Sequence, residues 1–199
     1  MLQRLKDRFF PDRIATRPAL RRFVSGEASY LAQRATYEFS RNTLAWHGQH
    51  VLGDAKFNEA FAVCRWESFA AVAADMIFLA RGHLAAGQSL DPPLLRVYAE
   101  ALGEYPNPAH RPEGWGDCHT ALLARFGGIS DERPADLKAI GYRTGAFIHG
   151  KAPARSRNLE EERAVLGAAV TFGLISFNDR LPRRLDRQAL VQALSGHAT

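Results

Sequence analysis

Apolar residues recur along this chain at intervals of three and four, with almost no alternating runs, which predicts helices and no convincing strand. Leu2, Leu5 and Phe9 share one helical face, so residues 2–9 are expected to form a short amphipathic helix that Pro11 stops. Pro18 is placed to open a further short turn, and the first long helix is expected over residues 25–52. Gly53 then Asp54 reads as a stop followed by a start, with glycine ending one helix and aspartate capping the next. Residues 55–86 are apolar nearly all the way round: Phe57, Phe61, Cys64, Trp66, Phe69, Met76, Ile77 and Phe78 do not share a face. A helix without a polar side is normally surrounded by others, so this one is expected at the centre.

Asp91 before Pro92 has the form of an N-cap followed by proline at the first helical position, opening a helix over 93–104. Residues 105–114, with Pro106, Pro108, Pro112 and Gly114, form the clearest loop. Helices are then expected over 115–126, 134–149, 158–178 and 186–194, the third opened by Asn158 and Glu161 at capping-box spacing. Gly141 and Gly145, four apart on one helix, suggest close helix packing. The prediction is an all-α, single-domain bundle of about six to eight helices over residues 23–199, preceded by an arm over 1–22.

Size supports this picture. A chain of 199 residues can bury a core without disulfides or a structural metal. The longest apolar stretches, 69–80 and 164–177, fall short of the roughly 18–20 residues that cross a bilayer, so no transmembrane segment is expected. Cys64 and Cys118 lack framework spacing and no secretory segment precedes them, so a reducing, cytoplasmic setting is expected.

Charge is distributed unevenly. Arg4, Lys6, Arg8, Arg13, Arg17, Arg21 and Arg22 meet only Asp7 and Asp12, so the arm holds the whole net charge of +5. From Phe23 onward, 19 basic residues balance 19 acidic ones. With Leu2, Leu5, Phe9 and Phe10 supplying apolar area, the arm is a candidate for contact with an anionic surface. Nucleic-acid binding is not expected, because no helix-turn-helix or aromatic-basic platform accompanies the charge.

Polar residues inside the helices mark a possible pocket. Arg34 and Glu38 are an i,i+4 pair and Glu38 and Arg41 an i,i+3 pair, a pattern that normally describes a solvated face. Arg65 and Asp75 follow the same row of the central helix as Phe61, Val72 and Leu79. If that row is inside, both charges need partners. They stand about 15 Å apart along a helix and cannot pair with each other, so partners must come from elsewhere, with Glu38, Arg41 and Arg143 named as guesses. Glu67 falls on a different face. Glu38, Arg41, Arg65 and Asp75 are therefore the ligand-pocket candidates.

His47 and His50 lie one turn apart and are weak metal candidates, since no HExxH, ExxH or CxxC supplies further ligands. Cys118, beside Asp117 and His119 at a predicted helix start, is the candidate reactive thiol, because helix N-termini lower thiol pKa. The Cys118–His119 pair resembles alkylhydroperoxidase-like helical proteins in that feature alone. Their CxxC needs a cysteine where Trp115 stands, so no role is taken from them. No nucleotide-binding, hydrolase-elbow or EF-hand motif is present.

No cofactor is expected. The missing catalytic motifs and the balanced body point to a non-catalytic accessory or regulatory protein acting through protein–protein contacts, expected to be a homodimer. The alternatives are a small-ligand-binding or enzymatic bundle with a polar pocket, and peripheral attachment to an anionic membrane surface through the arm.

Overall fold

Seven helices and no strand account for the described part of the chain. The computed structural model describes residues 13–47, 53–84, 90–128, 133–153 and 158–196, with backbone alone over 41–47. The helices are α1 (Arg17–His47), α2 (Ala55–Leu84), α3 (Asp91–Leu102), α4 (Gly116–Phe126), α5 (Leu137–Lys151), α6 (Leu159–Arg184) and α7 (Arg187–Leu194). The all-α architecture follows the apolar spacing of the sequence. The expected helix over 2–9 lies outside the described residues.

Three helix starts are capped by side chains, two of them, Asp54 and Asn158, expected from the sequence and the third, Asp186, not singled out as a cap there. Asp54 accepts the Lys56 N–H at 2.7 Å and so caps α2. Asn158 accepts the Glu161 N–H at 3.4 Å, and Asp186 accepts the Ala189 N–H at 3.2 Å. These bonds satisfy amide groups that a helix start leaves without an intrahelical partner.

Other ends differ. α1 begins at Arg17 rather than at Ser25, so residues 17–22 are helical. Pro18 is tolerated because it falls in the first turn, and the buried Ile14 and Leu20 hold this stretch on the bundle. Gly26 consequently sits well inside α1 rather than near its start. Asp91 does not cap α3; Leu90 holds that position, and the Asp91 carboxylate is taken by Arg81 at 2.6 and 3.1 Å. α6 runs on past Asn178 to Arg184 and includes Pro182.

Packing gathers on α2, which touches α1, α3, α4, α5 and α6. From Glu67 to Ala80 every residue of α2 is buried except the partly buried Ala71 and Ala74. Phe78 stacks on Phe126 of α4, and the Tyr98 hydroxyl of α3 donates to the Ala70 carbonyl at 3.0 Å. Across the bundle, Phe23 of α1 stacks on Phe177 of α6 with ring centres 5.4 Å apart.

α5 and α6 are packed backbone against backbone. A Cβ placed on Gly145 would lie 2.5 Å from the Gly167 nitrogen, and one on Gly141 would lie 2.7 Å from the Thr171 Cα. Glycine is required there by space rather than by backbone conformation. At the other end of α6, Ile14 and Leu185 form a single parallel bridge.

Gly145→Ala should therefore destabilise the fold by about 1–3 kcal/mol, because the neighbouring atoms are backbone and cannot rotate away. Gly26→Ala, in open space on α1, should stabilise it by about 0.5–1 kcal/mol through helix propensity. Urea denaturation of both variants checks the opposite signs.

Candidate functional site

Asp75 is the most enclosed charge among the described residues, with a side chain only 1% exposed. Its Oδ1 accepts from Arg125 Nη1 of α4 at 2.8 Å and from Arg143 Nη2 of α5 at 2.5 Å. Its Oδ2 accepts from the Thr144 hydroxyl at 2.6 Å. The Arg125 guanidinium also lies 4.1 Å from the centre of the Phe78 ring. Burial pushes the Asp75 carboxyl above its ordinary value, while the two guanidiniums and the hydroxyl pull it back. Both oxygens are engaged by donors from two other helices, so the group acts as a clamp on α2, α4 and α5.

A second carboxylate organises the loop between α3 and α4. Glu67 is buried and accepts from Arg111 through both oxygens, with the Nη2–Oε2 contact at 2.9 Å. His110 Nε2 lies 3.0 Å from Oε1 and Lys151 Nζ 3.8 Å from Oε2. Arg111 also reaches Asp117 at 2.7 Å and covers the Trp115 ring at 4.6 Å. Burial alone would raise the Glu67 carboxyl, but its hydrogen bonds to Arg111 and His110 hold it below the ordinary range. A third pair joins α5 to α6: His149, fully buried, places Nε2 3.0 Å from Glu162 and meets the Phe39 ring edge-on.

The ligand-pocket candidates do not converge. Asp75 is inside, but Arg65 is exposed, because the loop after α3 covers the Glu67 side of α2 and leaves the Arg65 side open. Glu38 pairs with Arg34 at 3.0 Å on the surface. The Arg41 and His47 side chains, together with His50, Arg4, Lys6 and Arg8, lie outside the described residues. No group of three metal-ligating side chains occurs among the described residues. At Cys118, burial and then the Asp117 charge push the thiol up to about 11, opposite in direction to the lowering expected at a helix start. Burial does the same to Cys64, also to about 11.

The described cavity lies elsewhere, between α1 and α6. This open groove of about 310 Å³ has Met76 in its lining and is bordered by Tyr30, Arg34, Phe172 and Arg180. Leu31 fits against Gly173, where a Cβ would collide with both of its methyl groups. The rim charges are paired, Arg34 with Glu38 and Arg180 with Glu27 at 2.5–2.7 Å. Two large apolar side chains stand beside them in solvent: Tyr30 is 64% exposed and Phe172 72%. Tyr37 and Val165, one heptad along each helix, are exposed as well.

Sequence reasoning missed Glu67, Arg111, Arg125 and His149. An acidic residue within the apolar 55–86 run was the available signal for Glu67. Its partners come from a loop and from other helices, and no spacing within the chain marks them.

Asp75→Asn should cost about 3–5 kcal/mol in urea denaturation, since it leaves buried guanidinium charge uncompensated. Arg125→Met in that background should recover part of the loss. Glu67 predicts an acid dependence. Its folded pKa is depressed, so its stabilisation is complete above the ordinary value of 4.5 and is lost as pH falls through the folded one. Thermal melting below pH 4.5 should therefore fall less steeply for Glu67→Gln than for the native chain. No protein-family model matches this chain, and neither a curated protein nor a solved structure does.

Proposed function

We propose that this protein is a non-catalytic helical interaction protein, and that the partner seated on the α1–α6 groove is a second copy of the same chain. The observation that carries the reading is the exposed aromatic pair, Tyr30 and Phe172, flanking that groove. Large apolar side chains grouped on a surface are characteristic of contact sites. The buried charged groups argue in the same direction. Asp75 and Glu67 are engaged by other side chains of the fold, and the groove lining includes neither carboxylate.

Charge selects the partner. A two-fold interface sets a surface patch against itself, so a patch of one sign would repel its own copy. The groove rim carries two arginines and two glutamates and is neutral. It has no net field to attract a strongly acidic or basic partner. Side-by-side helices with apolar side chains between them can form a four-helix layer with the same pair from a second copy.

Sedimentation equilibrium of the purified chain should give a dimer, and Phe172→Glu should weaken association by roughly 30-fold or more, as loss of an interface anchor does. At concentrations where both are monomeric, the Phe172→Glu melting temperature should stay close to the native value, because the side chain is outside the core. A native chain that stays monomeric at high micromolar concentration, or a Phe172→Glu variant that dimerises unchanged, overturns the reading.

A further inference from the structure

The cationic character of the N-terminal segment is continued by a distant part of the chain. The Ile14 N–H donates to the Arg184 carbonyl at 2.8 Å, and the Asp186 N–H donates to the Ile14 carbonyl at 3.1 Å. These two bonds join the residues just before α1 to the junction of α6 and α7. Arg183, Arg184 and Arg187 are thereby brought to the end of the bundle that carries Arg13, Arg17, Arg21 and Arg22. Seven arginines share that end with Asp179, Asp186 and Glu100.

Part of this charge is answered within the fold. Arg17 pairs with Glu100 at 3.3 Å, Arg13 with Asp186 at 3.7 Å, and Arg184 lies 5.0 Å from the Phe23 ring. Arg187 reaches the Leu84 carbonyl at 3.5 Å. Arg22 and Arg183 are exposed and have no ion-pair partner among the described residues. The Arg13 side chain stays 81% exposed despite its pair.

Stability does not account for this arrangement. A helix N-terminus favours negative charge, yet the first turn of α1 has no acidic residue and opens with an arginine. Arg183 and Arg184 suit the C-terminus of α6, but Arg187 begins α7.

We propose that this end of the bundle docks on an anionic lipid surface, with Arg183 and Arg187 of the α6–α7 junction acting together with Arg13 and Arg22. The sequence that leads into Arg13 favours lipid as the source of negative charge. It interleaves Leu2, Leu5, Phe9 and Phe10 with Arg4, Lys6 and Arg8, and a headgroup layer rewards that mixture of apolar area and positive charge. The proposal uses a different part of the molecule from the α1–α6 groove and does not rest on self-association.

The test is co-sedimentation of the full chain with vesicles of phosphatidylcholine alone or containing phosphatidylserine. Binding should require phosphatidylserine and should weaken as salt rises. Arg183→Gln with Arg187→Gln should reduce the partition coefficient by roughly 25-fold, about five-fold for each arginine removed. Arg183→Gln alone, which removes no hydrogen bond the fold is seen to use, should give about a five-fold loss and covers the case where the double variant folds poorly. Circular dichroism checks the fold of each. Failure of the native chain to bind phosphatidylserine vesicles at low salt overturns the proposal. So does unchanged binding by correctly folded variants, which would leave docking to residues 1–22 alone. Displacement from the vesicles by a random-sequence DNA duplex at lower concentration would assign the surface to nucleic acid instead.

Discussion

A carboxylate removed from water has to be met by donors, and Asp75 imposes that demand at the centre of this bundle. Three side chains answer it, and they arrive from α4 and α5 rather than from α2 itself. The relative placement of three helices is thus tied to one group. Apolar contacts alone would tolerate a shift of one helix along another, since many registers bury similar area. Here a shift would pull Arg125, Arg143 or Thr144 away from Asp75 and leave charge stranded in a low-dielectric interior. Phe78, under the Arg125 guanidinium, joins this polar contact to the hydrophobic core.

The α5–α6 contact is the complement of that clamp. Gly141 and Gly145 let the two backbones meet, and this proximity sets where α5 can carry Arg143 and Thr144 toward α2. The buried His149–Glu162 pair holds the same two helices one turn beyond the glycines. Glu67 performs the equivalent task for the loop after α3, fastening Arg111 and His110 over α2. The carboxylates Asp75, Glu67 and Glu162 are therefore fastenings between elements, each engaged by side chains from another part of the chain.

Two faces differ in kind. The α1–α6 groove is neutral and flanked by aromatics, whereas the end formed by the start of α1 and the α6–α7 junction is strongly cationic. Apolar burial is short-ranged and depends on fit, while the field of a cationic cluster extends about a Debye length into solution. The two proposed contacts therefore place different physical demands on the surface.

Local chemistry determined what could be read along the chain. Helical periodicity, the caps at Asp54 and Asn158, and the loop with Pro106, Pro108 and Pro112 depend on neighbours within about four residues, and these features were legible. Asp75 stood out because a charge inside an apolar run is conspicuous, and Arg143 was among the partners in reach. Arg65 misled because helical periodicity places a residue on a face without saying how far the neighbouring helices extend to cover it. Arg125, Thr144 and the Arg111–Glu67 contact belong to pairs separated by 44 to 69 positions. The joining of Ile14 to Leu185 spans nearly the whole described chain. Such contacts depend on how helices cross, and crossing is settled by volumes, as where Gly145 admits Gly167, that no local pattern encodes.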